Sequence, residues 1–352
     1  MTERDRTPLR AAVLVLGITL VLSVLLSWAH VPSAVLFGSL VGGMAHALTS
    51  PRVLALPPWA FRGAQGLVGI TIGSLVSLAT LASLGPALLP IVVVTLGTVA
   101  ISLVAGRLLA LHGEVSRVTG AFAMIAGGAS GVVAVARDLG ADDRVVTVVQ
   151  YLRVFVVLVT MPLVTAAVFH PDHGLGRYTA GDASGRADLA FAAVALVVGL
   201  LLARVVRFST ATLLVPLAVA VALGATGWFG EPMVPTALQW LAYGLIGVQV
   251  GLRFTRASLA SIARLLPVVL LIIVAMVAAT ALMGAVLAWL TPVDGLTAYL
   301  ATTPGGLFAV LATAADSGSD VTYVMAVQLF RPVVILAFTP LLARWLRGRP
   351  GR

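Results

Sequence analysis

Pro304-Gly305-Gly306-Leu307, an apolar run to Ala315, then Asp316, Gly318, Asp320, and finally Gln328 and Arg331: this stretch decides the fold, because most of it occurs twice. Subtracting 178 from each number finds Gly127 and Gly128, Asp138, Gly140, Asp142, Gln150 and Arg153 in the same order. Between 127 and 163, 16 of 37 positions are identical to their partners 178 residues later, without a gap. The chain is a tandem duplication. The best-kept part of each copy holds glycines, carboxylates, a glutamine and an arginine.

Working outward, composition says where such a unit can live. The 352 residues are 60% hydrophobic and only 10% charged, with a mean hydropathy of +1.09, which is not a soluble composition. Apolar segments recur at about 11–29, 33–49, 63–82, 86–110, 118–136 and 145–169, and again at about 188–206, 210–228, 236–252, 265–290, 296–315 and 321–343. Most approach the roughly 17–25 residues that span a hydrocarbon core. The first lacks a small-residue cleavage site and is read as a retained span. Residues 170–187 form the most polar connection, so the chain divides into a first membrane repeat (1–169), a polar linker (170–187) and a second repeat (188–352).

The arginines choose between topologies. There is no cysteine, which excludes disulfides and thiolate chemistry, and all 22 basic residues are arginine. Twelve crossings with the N-terminus inside put 13 loop arginines inside and 7 outside. Letting segment five of each half enter and leave by one face puts 18 inside and 2 outside (Arg177 and Arg186). The positive-inside bias prefers the second count. Arg253, Arg256 and Arg264 also correspond to Leu75, Leu78 and Pro86, so equivalent loops differ in charge as they would if the copies lay upside down to one another. The expectation is an all-α polytopic membrane protein with two inverted-topology repeats. Each has about five transmembrane helices plus one re-entrant or broken helix, bent at Gly127-Gly128 and at Pro304-Gly305-Gly306. Both termini are expected on the cytoplasmic side of a bacterial inner membrane.

A helix broken at membrane depth opens backbone groups that lipid cannot satisfy, so such backbone lines protein or a wet cavity. Secondary transporters use these breaks to hold ions and anionic substrates. Gly-Gly supplies the backbone angles and Pro304 removes a donor. The alternative is a close helix contact through small residues. Gln150 and Arg153, like Gln328 and Arg331, are three residues apart and share a helix face. Their arginines either offer forked donors to an oxyanion or cap the carbonyls of the hairpin. Thr302 and Thr303 add hydroxyls before the second bend, where Met124 and Ile125 stand in the first copy. Asp138, Asp142, Asp316 and Asp320 sit at segment ends: ion or proton sites on one reading, helix caps on the other, with Asp142 and Asp320 suited to cap segment six. Gly66, Gly69 and Gly73 match Gly244, Gly247 and Gly251 and read as packing faces. No metal or cofactor is expected, since the five histidines form no ligand pair on a span and His170 and His173 lie in the polar linker.

The Gly-Gly-Leu run, Ala-rich helix, Asp-x-Gly-x-Asp and Gln-x-x-Arg, present twice, resemble the AbrB-type duplicated membrane protein family from about Ser33 to Trp345. The second copy is closer to the family pattern; in the first, Ala126 and Ala129 replace the Pro and Leu. Members have been labelled ammonia monooxygenases or regulators of gene expression. The residues themselves favour a secondary transporter of a small organic anion by alternating access, coupled to Na⁺ or H⁺. Its partners would be membrane lipid and the anion, with no nucleic acid and with a homodimer left open. A sensor, a scaffold or an indirect influence on gene expression is the alternative reading. An oxygenase would need clustered metal ligands that the sequence lacks.

Overall fold

The structure, a computed structural model, describes residues 3–29, 31–50, 54–76, 85, 87–113, 115–125, 136, 139–170, 185–206, 210–230, 232–260 and 262–347. Gly127, Gly128 and Asp138 lie outside the described residues, as does most of the polar linker. Among the described residues every regular element is helical. In chain order these are α1 (Glu3–Trp28), α2 (Ala34–Thr49), α3 (Pro58–Leu75), α4 (Leu88–Leu109), α5 (Arg117–Met124) and α6 (Asp143–Val164, continued by a π-helical turn Thr165–Phe169). The second copy supplies α7 (Gly185–Ala203), α8 (Ala211–Ala225), α9 (Thr236–Gly251), the short α10 (Arg256–Ala260) and α11 (Leu266–Leu290). It ends with α12 (Gly295–Thr302), α13 (Leu307–Asp316) and α14 (Val321–Arg347).

Four stretches are long and apolar enough to cross a bilayer: Leu88–Leu109, Arg144–Phe169, Gly185–Ala203 and Leu266–Leu290. At 1.5 Å per residue the 25 residues of the last extend about 37 Å, beyond the hydrocarbon thickness. Their outward faces carry no polar coat. Leu271, Val274, Leu282 and Trp289 of α11 and Leu89, Val93 and Val104 of α4 are exposed. Apolar residues on every side of a helix mark lipid as one neighbour. The protein is an all-α, polytopic membrane protein.

The chain forms two compact units, and each draws on both halves of the sequence. The first comprises Met1–Ser83, Met161–Arg256 and Leu311–Thr322. Its helices pair crosswise between the copies: α9 packs on α2, and α3 packs on α8. The matched glycines make these crossings close. A Cβ on Gly73 would stand 2.6 Å from the Leu217 carbonyl oxygen, and one on Gly251 would strike the backbone of Leu40 and Met44. Gly69 meets the Leu213 carbonyl, and Gly247 meets Ser39 and the Leu36 carbonyl. The glycine rows are packing faces, as their spacing predicts.

The second unit comprises Leu84–Thr160, Ala257–Val310 and Tyr323–Arg352. Here α4 packs on α5, α11 on α12, and α4 on α11. The duplication shows again in the contacts. Gly106 of α4 lies against Gly120 of α5, and its equivalent Gly284 of α11 lies against Ala298 and Thr302 of α12. One buried cluster joins Leu109, Phe122, Met124, Val146, Val149, Ile273 and Met276. This unit holds both short helices, α5 and α12, and the start of α13 as far as Val310.

Candidate functional site: two broken helices and their arginines

Each copy starts its fifth segment with a capped short helix. Ser116 caps α5, its Oγ accepting from the Thr119 N–H at 3.1 Å. Asp294, 178 residues on, caps α12 by accepting from the Thr297 N–H at 2.9 Å. Such caps satisfy donors that the first helical turn leaves open. Both short helices then stop after eight residues. Ile125 turns extended (φ −66, ψ 125), and so does the equivalent Thr303 (φ −56, ψ 128). Thr303 is held there by the ring of Pro304, which disfavours helical angles in the residue before it. In the first copy Ala126 imposes no such restriction, yet the helix ends at the same place.

Beyond Pro304 the chain turns through two glycines with positive φ, Gly305 at 125° and Gly306 at 71°, before α13 starts. Only glycine adopts the first of these angles freely. The break leaves the last carbonyls of α12 without helical partners. Gln328 and Arg331 of α14 satisfy them. Gln328 Nε2 donates to the carbonyls of Leu300 (2.9 Å) and Thr303 (3.1 Å). Arg331 Nη1 donates to the Thr303 carbonyl at 3.0 Å, while its Nη2 donates to Gln328 Oε1 at 2.7 Å. The first copy repeats the device. Gln150 Nε2 donates to the Phe122 carbonyl at 2.9 Å and Arg153 Nη1 to the Met124 carbonyl at 2.8 Å. Phe122 and Leu300 are themselves 178 apart, so both glutamines bind the same carbonyl of their own copy.

All four side chains are buried, Arg153 at 2% exposure and Arg331 at 4%. The capping reading of the arginines is therefore realised. It does not exhaust them. A guanidinium has five N–H groups, and Nε of both Arg153 and Arg331 is buried without a partner. Arg153 also reaches the other copy's bend: a Cβ on Gly305 would lie 3.5 Å from its Nε and 3.9 Å from its Nη2. Both arginines thus flank the turn at 303–306. The N-terminal amides of α13 begin there, and the positive end of that helix dipole lies at the same place. Neither α12 nor α14 contains an Asp or Glu, and Asp294 is occupied as a cap. The bend is a concentration of positive charge and free donors.

The remaining candidates fall elsewhere. Thr302 Oγ1 donates to the Ala298 carbonyl at 3.0 Å and Thr303 Oγ1 to the Tyr299 carbonyl at 2.8 Å, so both hydroxyl protons return to α12. Their oxygens keep acceptor capacity only. Asp142 caps α6, accepting from the N–H groups of Arg144 (2.9 Å) and Val145 (3.2 Å), and its own N–H donates to Thr119 Oγ1 at 3.0 Å. Asp320 immediately precedes Val321, where α14 begins. Asp316 does neither: in the first unit its Oδ2 accepts from Ser33 Oγ at 2.7 Å, tying the end of α13 to the start of α2. Sequence reasoning missed Ser33, whose αL backbone (φ 54) makes it an atypical helix start. It also missed Ser116 and Asp294, although each stands three residues before a threonine at matching repeat positions. Among the described residues no three His, Asp or Glu side chains gather as a metal site requires.

Comparison with known proteins shows the family. A 34% identical relative over 338 residues, covering 94% of this chain and 96% of its own length, is named "Putative regulator AbrB" in Escherichia coli (strain K12). A 24% identical relative over 341 residues is named "Uncharacterized protein YhjN" in Bacillus subtilis (strain 168), with 90% of this chain and 88% of that one covered. The family model described as transition state regulatory protein AbrB matches residues 35–347. On that near-complete match the chain belongs to the AbrB family.

Proposed function

We propose that the protein is a secondary transporter that moves a small organic anion by alternating access, driven by Na⁺ or H⁺. One observation carries the reading: two buried arginines, one per repeat, flank an interrupted helix with an unpartnered Nε each. Purely structural arginines would gain nothing from leaving buried donors open, since an unmet donor costs about 1–3 kcal/mol. An anion entering the bend completes them. Helix breaks at such a point also keep backbone groups available to a ligand that must bind and leave again. The arginine distribution supports opposite orientations of the two repeats, with both termini in the cytoplasm of the cell's inner membrane. The carboxylates at the segment ends, Asp316 above all, supply sites where a coupling proton or cation would act.

Uptake of radiolabelled organic acids into proteoliposomes under imposed Na⁺ and pH gradients tests this directly. Gradient-dependent flux in wild type, abolished by Arg331→Ala, is the expected result. Absence of flux for every anion under either gradient sinks it. The name of the Escherichia coli relative favours a second reading, a membrane regulator that acts through the ligand it senses. Binding without flux would select that reading.

A further inference from the structure

We infer that the anion taken at the 303–306 bend is doubly charged: a short dicarboxylate, or a compact group such as a phosphonate that carries two negative charges itself. The inference rests on the anion-binding reading above and specifies the substrate class.

The charge balance leads to it. Two guanidinium ions are buried in one unit beside the same turn, Arg331 bonded to the Thr303 carbonyl and Arg153 against Gly305. A buried charge without an opposite one is strongly unfavourable. Of the helices around them, α5, α12 and α14 contain no carboxylate. α6 has one only at its first residue, Asp143, ten residues from Arg153, and α13 has one only at its last, Asp316, which accepts from Ser33. Asp142 and Asp294 are engaged with backbone N–H groups at helix starts. The anchoring carbonyls of Met124 and Thr303 carry partial charge only. A monoanion would therefore leave one guanidinium uncompensated, whereas a dianion neutralises both. The donors also number two, one Nε from each repeat, and each is suited to a separate oxygen. The amides at the start of α13 add to the preference for negative charge.

The test measures affinity, not transport. Purified protein in detergent is titrated calorimetrically with succinate and with methylphosphonate, at a pH where both are dianions. Butyrate and acetate are the singly charged controls, at constant ionic strength. Wild type is expected to bind at least one dianion more tightly than either monoanion by about tenfold or more. Arg153→Gln, which removes one charge but keeps an amide donor, is expected to erase that ratio, and Arg153→Lys to keep it. Succinate alone binding would assign two carboxylates, and methylphosphonate alone a single compact group. Monoanions binding as tightly as dianions in wild type would overturn the inference while leaving an anion site standing. An unchanged ratio in folded Arg153→Gln would do the same. If no anion of either charge binds, the anion-binding reading falls with it.

Discussion

Gln328 and Arg331 behave as one device at the end of α12. The glutamine turns its amide to the open carbonyls and presents its oxygen to the arginine, which fixes the guanidinium beside Thr303. Gln150 has a single such bond, to Phe122. Replacing Gln328 by leucine leaves several buried polar groups unmet and is expected to cost about 1–3 kcal/mol, against about 1 kcal/mol for Gln150→Leu. Thermal unfolding of the two purified variants ranks them, and equal losses would mean that the extra bonds of Gln328 contribute nothing. The adjacent glycine obeys a different rule. Gly305 combines φ 125° with Arg153 at van der Waals distance, so Gly305→Ala should cost about 1–3 kcal/mol in backbone strain. Gly63, inside α3 with no atom within 4 Å of a Cβ, is the control, and Gly63→Ala should be neutral or stabilising by up to about 1 kcal/mol.

At the level of elements, the glycine rows show what a spacing can and cannot specify. Gly66, Gly69 and Gly73 recur as Gly244, Gly247 and Gly251, and small residues four apart mark a helix face that another backbone can approach. That face was legible. Its partner was not, because the pattern describes one side of the contact only: α3 meets α8 and α9 meets α2, each the second segment of the opposite copy. The rows are also uneven. Gly247 is closed by the Leu36 carbonyl and by the Leu40 N–H nitrogen at 2.9 Å, while Gly244 has only Val35 Cγ1 at 3.8 Å. Gly247→Val should therefore force the helices apart at a cost of about 1–3 kcal/mol or more, and Gly244→Val should be tolerated. Comparison of folded yield and melting temperature checks this, and equal tolerance would deny the close crossing. The interrupted helices divide in the same way. Pro304-Gly305-Gly306 announces a break through its own chemistry, and the Gln-x-x-Arg pair announces a polar face inside a span. That both pairs would turn back onto carbonyls of their own copy, and that Arg153 would also reach Gly305, required the packing of α6 and α14 against the short helices. Asp316 was legible as a carboxylate at a segment end, but its bond to Ser33 joins residues 283 apart in sequence, which no local pattern encodes.

For the whole molecule, the duplication makes a demand that can be tested without knowing any substrate. Contacts repeat at an offset of 178 in both units: the Gly106 contact with α5 is matched by Gly284 with α12, and the Ser116 cap by Asp294. A repeat of shape does not by itself fix the direction in which each copy crosses the bilayer; the arginines supply the expectation to be tested. Arg107 and Arg117 bracket the α4–α5 connection, whereas Ala285 and Gly295 stand at the same places around the α11–α12 connection. With positive charge retained in the cytoplasm, the first connection is expected inside and the second outside. The native chain has no cysteine, so single thiols report cleanly. Gly113 and Thr291 occupy equivalent sites in these two connections, 178 residues apart. In intact cells, a membrane-impermeant maleimide should label Thr291→Cys and spare Gly113→Cys. In inverted vesicles the reactivities should exchange. Labelling of both from one face would place the copies parallel. The two arginine-capped breaks would then open in the same direction, and a cycle exposing one site alternately to either side would lose its structural basis.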